Sequence, residues 1–428
     1  MERLDAIVVG AGIAGLAAAR CLNEAGLKVV VLEARERLGG RIWTADLQDA
    51  SVDLGAASIQ GSDGNPLTDL AEELGLETVD VDYDSIVAYD SDGTALDSED
   101  LDDLQEAYQE LLEDAAETAA TLVDDIPMEA LLQELVTDDE LDDEEERALS
   151  WCIATQELEA GASFDELGVF GMGEREDFEG EDLFVVQAMG ALVDGAAQTL
   201  DTRLGHKVIR VDYAEEGVEF QCSNGEQFSA AAAIITVPPG VLRSGAIDFS
   251  PPLSREKREA LAHLGVGVVN RVALRFPRVF WPEHVDFLGY LSERHGRFPE
   301  WLNLTSYRGA PVLVASCGGH YARSMEKMTD AAVIDDVMQL LRTVFGDAVP
   351  PPTSSLISRW GSDPLARGSF CYLPPQAPPD LRRALAAPAA ERLRFAGDAT
   401  HATYPGTVHG AWLSGIREAR VLITAIAS

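Results

Sequence analysis

The residues most able to do chemistry begin at Gly10-Ala11-Gly12-Ile13-Ala14-Gly15, whose glycine spacing suits a backbone cradle for a pyrophosphate. The glycines allow a tight turn and let phosphate approach the main chain. The helix that follows supplies N–H donors and a positive partial charge at its N-terminus. Alone the spacing is a weak signal, but its context is complete. An apolar strand run, Asp5 to Val9, precedes it, a small-residue helical run, Ala14 to Ala25, follows, and Glu33 closes a second strand run, Lys28 to Leu32. A carboxylate there binds ribose hydroxyls and disfavours a 2′-phosphate, which leaves NAD or FAD as the ligand. A tight turn that binds nothing is the weaker reading.

Further elements must frame this site. Gly64-Asn65-Pro66 marks a break before a helix from Leu67 to Leu74. Residues 97 to 147 read as one long helical stretch with 22 acids and one base, a solvated face with a leucine stripe beneath. Lys207 to Tyr213 and Val218 to Cys222 read as a hairpin through Glu216-Gly217, with a second turn at Asn224-Gly225. Ala232 to Val237 is an apolar strand stopped by Pro238-Pro239-Gly240, and Val266 to Phe276 and Val312 to Ser316 are further strands. Helices are expected from Ala331 to Phe345 and from about His409 to Ile426.

Composition narrows the function classes. A chain of 428 residues suggests two or three domains. It has no apolar run long enough for a membrane span, and Leu4 to Val9 enters a strand where a signal peptide would place its charged and apolar regions, so a cytoplasmic protein is expected. The five scattered cysteines fit reduced thiols better than a disulfide framework or a zinc site, and no metal is expected. The net charge of −42 argues against nucleic acid as a partner. The acid excess is spread along the chain, which fits a surface kept hydrated in concentrated salt, as in halophilic proteins; attraction of a polycationic substrate is compatible with this.

Beyond Glu33 lie Arg37-Leu38-Gly39-Gly40-Arg41 and Asp53-Leu54-Gly55-Ala56. Later come Ile235-Thr236-Val237-Pro238-Pro239-Gly240, Phe276-Pro277-Arg278-Val279-Phe280-Trp281-Pro282, Arg359-Trp360-Gly361 with Arg367-Gly368-Ser369-Phe370, Phe395-Ala396-Gly397-Asp398, and Tyr404-Pro405-Gly406-Thr407-Val408-His409-Gly410-Ala411. In this order the motifs resemble the flavin-containing amine oxidase family, most of all its polyamine oxidases and then its flavin-dependent histone lysine demethylases. The likeness is weakest from about 97 to 185.

The resemblance implies an α/β plus α+β fold: a Rossmann-type FAD-binding domain (1–75, 187–248 and 386–428) with an interleaved substrate-binding domain (76–186 and 249–385) built on a mixed sheet flanked by helices. It implies FAD, held without a covalent link because Ser369 stands where monoamine oxidases carry their linking cysteine. By match, Gly10, Gly12, Gly15, Gly39, Gly40 and Arg41 hold the pyrophosphate, with Ile13 and Ala14 opening the helix beside it. Glu33, with Ala34 and Arg35, meets the adenosine ribose, and Val208 the adenine. Gly55, Ala56, Ala57 and Ser58, then Gly397, Asp398, Thr407, Val408 and Ala411, approach the rest of the cofactor. Trp360 and Phe370 line the flavin side of the substrate cavity, where Gln60, Tyr404 and His409 are further substrate contacts. Phe370 and Thr407 take the places of two tyrosines that wall the monoamine oxidase site. Arg271 stands at the family's active-site lysine and, unlike lysine, cannot cycle a proton. His409 reads either as a base or, more simply, as a packing residue.

The reaction implied is hydride transfer from an amine to flavin N5, giving an imine and then an aldehyde or ketone plus amine, with oxygen reduced to peroxide. The expected substrate is a polyamine or similar cationic amine. An L-amino-acid oxidase or desaturase-like enzyme on the same scaffold, and a flavoprotein of low turnover, stand as alternatives.

Overall fold

The computed structural model describes residues 4–136, 141–214 and 217–427. Its first unit is strand β1 (Leu4–Val9), helix α1 (Ile13–Glu24) and strand β2 (Val29–Leu32). Ala6, Ile7 and Val8 are wholly buried, as befits a parallel strand covered on both faces. β1 pairs in parallel with β2 on one side and with Gln227–Ile235 on the other. The full sheet has eight strands, running Asp248–Ser250, Val208–Ala214, Gly217–Cys222, Gln227–Ile235, β1, β2, Asp201–Arg203, with Leu393–Phe395 beside Gln227–Ile235. The alanines of α1 let the last helix, Val408–Ala427, come very close: a Cβ on Gly415 would meet the Ala14 carbonyl oxygen at 2.1 Å.

A second, six-stranded sheet is ordered Ser354–Ile357, Val269–Arg275, Val312–Gly318, Glu300–Asn303, Phe287–Tyr290, Ile86–Tyr89. It is antiparallel except for its last pair. Mixed sheets flanked by helices are the architecture expected from the sequence.

Local details differ. The acidic stretch is not continuous: it forms Ser98–Ala119, Met128–Leu135 and Asp143–Ala160. Pro127, which cannot continue a preceding helix, stands at the N-cap of the second. The third opens on a capping box at Asp142 with Glu145 and ends at Gly161 in the left-handed region, φ 70°. Its four first-turn acids suit the helix dipole. The strand expected from Ala232 begins earlier, at Gln227, because Gln227 to Ala230 pair with Val218 to Gln221 across a hairpin. Val208–Ala214 and Gly217–Cys222 pair antiparallel, while Glu216 of the expected turn lies outside the described residues. The run Val266 to Phe276 is two strands, Gly265–Val266 and Val269–Arg275. It breaks at Gly267, whose N–H donates to the Phe370 carbonyl and where a Cβ would lie 1.8 Å from the Gly161 oxygen. All five cysteines are free, and four of them are buried. Among the described residues no helix is long and apolar enough to cross a membrane.

Candidate active site

One cavity of about 350 Å³ starts at the β1–α1 turn and continues beneath the six-stranded sheet. At its first end the chain forms the glycine cradle. Gly39 (φ +89°) turns where a side chain would be strained, and its N–H donates to the Ala11 carbonyl. Gly12 is the N-cap of α1 and offers no side chain to it, so the first-turn N–H groups carry no side-chain partner. A Cβ on Gly12 would touch only the Gly39 oxygen, at 3.9 Å, and one on Gly397 no protein atom within 4 Å, although both residues line the cavity. This is free space beside unmet donors, and it fits the pyrophosphate of a dinucleotide.

Glu33 is buried and already oriented. Its Oε2 accepts the Ala11 N–H and its Oε1 the Arg35 N–H, both at 2.8 Å. Each oxygen keeps a further lone pair for a ribose hydroxyl. Arg35 itself pairs with Asp363 at 2.9 Å. Val208, with His206 and Lys207, closes that end of the cavity. Gly10, Ile13, Ala14, Ala34, Gly40, Gly55, Ala56, Ala57, Ser58, Val408 and Ala411 also line the cavity.

Arg41 is already engaged within the protein. Its guanidinium holds Asp398 (2.5 and 3.2 Å) and donates to the Ser369 carbonyl at 2.7 Å. Burial would depress its pKa, but Asp398 overcomes this and raises it. Ser369 is tied to Val269, accepting its N–H at 2.8 Å and donating to its carbonyl at 2.9 Å. Trp360 is fixed by Nε1 to the Leu54 carbonyl and by its N–H to Asn270, both at 2.9 Å. Thr407 accepts the Gly410 N–H at the start of the last helix.

The deeper end holds Arg271 and Phe370 together with residues that no motif marked: Tyr83, Thr155, Glu159, Arg175, Glu300 and Ser316. Arg271 donates from Nη1 to the Asp53 carbonyl at 3.1 Å, and among the described residues it forms no ion pair. Burial lowers its pKa, with Asp53 and Glu300 opposing. Burial also raises the carboxyl pKa of Glu159, and pushes that of Glu300 to about 7. Tyr83 donates to Asp182, whose other oxygen accepts the Gly61 N–H next to Gln60. These residues were illegible for a reason. Glu159 is one acid of a very acidic helix, and the face to which Glu300 points depends on strand pairing.

Gly15, Tyr404 and His409 do not line the cavity. Gly15 packs against the Gly10 carbonyl. Tyr404 stacks on Phe178 (4.7 Å between centroids) and His401. His409 is buried edge-on to Phe178 and Tyr404, and its pKa is lowered to about 4 by burial, so the ring is neutral at neutral pH.

Asn65 holds the Gln60 turn. Wholly buried, it caps the helix Pro66–Glu73 by accepting the Leu67 N–H and donates to the carbonyls of Gln60 and Gly61, each at 2.9 Å. Asn65→Ala removes a cap and strands two carbonyls, so the expected loss is about 2 kcal/mol in urea unfolding. An unchanged midpoint would show that the cap carries no weight.

A family model described as flavin containing amine oxidoreductase matches residues 13–423. The chain is 35% identical over 427 residues to polyamine oxidase 4 of Oryza sativa subsp. japonica, covering 96% of this chain and 87% of that protein. It is 35% identical to lysine-specific histone demethylase 1 homolog 2 of the same rice, but spans only 58% of its length. In fold it is similar to a triple mutant of putrescine oxidase redesigned in cofactor binding, with TM-score 0.81, 23% identity and 99% of each chain covered.

Proposed function

The chain belongs to the flavin-containing amine oxidoreductases, and from that premise we propose that it oxidises a polyamine or related cationic amine. One observation supports this most: the dinucleotide cradle and a pocket bearing Glu159 and Glu300 are a single cavity. FAD, held by the glycine cradle and Glu33, would supply a two-electron acceptor for the amine, with oxygen as the expected final acceptor and peroxide as its product. The imine produced is hydrolysed by water to an aldehyde or ketone and an amine.

In this reading the α1 N-terminus, Gly10, Gly12, Gly39 and Gly40 take the pyrophosphate, and Glu33 takes the ribose. Arg41 acts with Asp398 as a neutralised pair. Trp360 and Phe370 bound the reacting space and exclude water. Arg271 would bring a fixed positive charge to the reacting space. Ser369 is committed to Val269, and burial pushes the Cys371 thiol up to about 12, so neither offers a nucleophile for a covalent link. The polyamine oxidase relative supports the substrate class. In this reading the FAD-binding domain is 1–75, 187–248 and 386–428 and the substrate-binding domain is 76–186 and 249–385, with Phe249, Leu253, Leu261 and Leu385 of the second packed into the core of the first.

Peroxide release with spermine, spermidine and L-amino acids, at low and molar salt, tests the proposal. Peroxide is expected from the polyamines. Peroxide only from L-amino acids would assign Arg271 to a substrate carboxylate. Neither peroxide nor flavin bleaching with any amine would overturn the proposal in favour of a low-turnover flavoprotein. Retained activity in molar salt fits the acidic surface.

A further inference from the structure

Three side chains stand in a row across the deep end of the cavity. Arg271 and Ser316 are cross-strand partners, as are Ser316 and Glu300. Directly paired residues point to the same face, so Arg271, Ser316 and Glu300 share one wall, with the outer two about 10 Å apart at two strand spacings. All three line the cavity.

Their engagements differ. Arg271 is anchored on the Asp53 carbonyl. Among the described residues, the Glu300 carboxylate has neither a hydrogen bond nor an ion pair, although it lies in the cavity wall. The charged and titratable groups facing Glu300 are Arg271 from one neighbouring strand, Glu159 from the helix Asp143–Ala160, and Tyr83 from the loop before Ile86–Tyr89. Tyr83 has committed its proton to Asp182. Glu159 accepts from Gln156 at 3.2 Å and feels Arg175, which is paired with Asp177. Glu300 is therefore the open acceptor.

An amine arrives as an ammonium ion and must lose a proton before its α C–H bond can be oxidised. Resting on the function proposed above, we propose that Glu300 takes that proton from a substrate nitrogen lying over Ser316, while Arg271 on the other side disfavours the ammonium form. In this step an ammonium N–H bond breaks, its electron pair remains on nitrogen, and an O–H bond forms on Glu300. Cation and anion both become neutral, which a buried cavity favours. The fixed charge of Arg271 cannot do this work. With the Glu300 carboxyl near 7, the acceptor is ionised above that value and blocked below it.

The test is the rate of flavin reduction at saturating amine across pH in the holoenzyme. In the wild type the rate should fall about tenfold per unit below pH about 7, as expected for loss of one ionised acceptor. Glu300→Gln should lower it by about 100-fold near neutrality. The deficit should close near pH about 10, where the amine arrives already neutral. Glu300→Asp should recover part of the rate. A weaker apparent binding of amine with the rate and its pH profile intact would reduce Glu300 to a counter-ion and overturn the proposal.

A second measurement needs no variant. A tertiary-alkyl amine has no α hydrogen and cannot be oxidised, yet its binding should add the infrared signal of a protonated carboxyl group. No such signal at about pH 8, where Glu300 is ionised and the amine still arrives as an ammonium ion, would also overturn it. If no amine reduces the wild-type flavin, the amine oxidase reading fails, while the infrared signal still reports on Glu300.

Discussion

Gly15→Ala is expected to purify with little or no bound flavin. The added Cβ would lie 1.9 Å from the Gly10 carbonyl oxygen and 3.1 Å from its carbon. Both are backbone atoms, so no side chain can swing aside, and α1 must back away from the end of β1. The first-turn N–H groups of Ile13 and Ala14 then leave the position from which they face the cavity. Overpacking of this kind costs about 1–3 kcal/mol. If that strain falls on the holo state, flavin affinity drops by about 10- to 100-fold. The measurements are the ratio of visible flavin absorbance to protein absorbance after purification, and titration of FAD into stripped protein. Gly12→Ala separates the causes. Its Cβ touches protein only at 3.9 Å and otherwise enters the cavity, so folding stability should hold while flavin is displaced. A yellow Gly15→Ala protein with ordinary FAD affinity would refute the placement of the cofactor on α1.

Arg308→Met should be strongly destabilising although Arg308 lies outside the cavity lining. The guanidinium is buried, and its donors reach two segments distant in sequence, Ser51–Asp53 and Val185–Val186. Nε bonds to the Val186 carbonyl (2.9 Å), Nη1 to that of Ser51 (2.6 Å), and Nη2 to that of Val185 (3.0 Å) and to Asp53 Oδ2 (3.1 Å). It also lies over the Phe184 ring at 4.5 Å. Methionine fills much of the volume but strands three carbonyls and leaves Asp53 buried without its partner. Removing one member of a buried pair costs about 3–5 kcal/mol. Lysine would not substitute, because it lacks the planar fork that reaches all four oxygens.

The pH dependence has a definite sign. Burial already raises Asp53 above the usual carboxylate range, with Arg308 foremost in opposing this. Without Arg308 the folded-state pKa rises further. A raised pKa stabilises below the unfolded value, and that contribution is lost as pH climbs through the folded value. The deficit of the variant should therefore be smaller at about pH 5 than at about pH 8 in urea unfolding. An equal deficit at both would show that Asp53 does not titrate.

The cofactor half of the site was legible because its chemistry is local. Glycines that turn the chain, the strand that feeds them and the acid that ends the next strand are close in sequence, and each has its own stereochemical reason. The limits of that approach appear at Arg41, which the motif assigned to the pyrophosphate without showing that the fold pairs it with Asp398 from the far end of the chain. They appear again at Tyr404 and His409, which belong to the motif of Thr407 but turn away from the cavity against Phe178.

From the sequence alone came the βαβ unit, the glycine cradle, Glu33 and the acid excess, while the resemblance set Arg271 at the family's lysine position. Tertiary structure alone decided that Glu300 and Ser316 share a wall with Arg271, that Glu159 and Tyr83 face them, and that Arg308 joins Ser51, Asp53 and Val185. The difference is physical. Turn geometry and strand alternation are set by neighbouring residues, whereas which side chains meet across a cavity depends on the register of strands that are distant in sequence, and a slip of one residue would turn Glu300 to the opposite face.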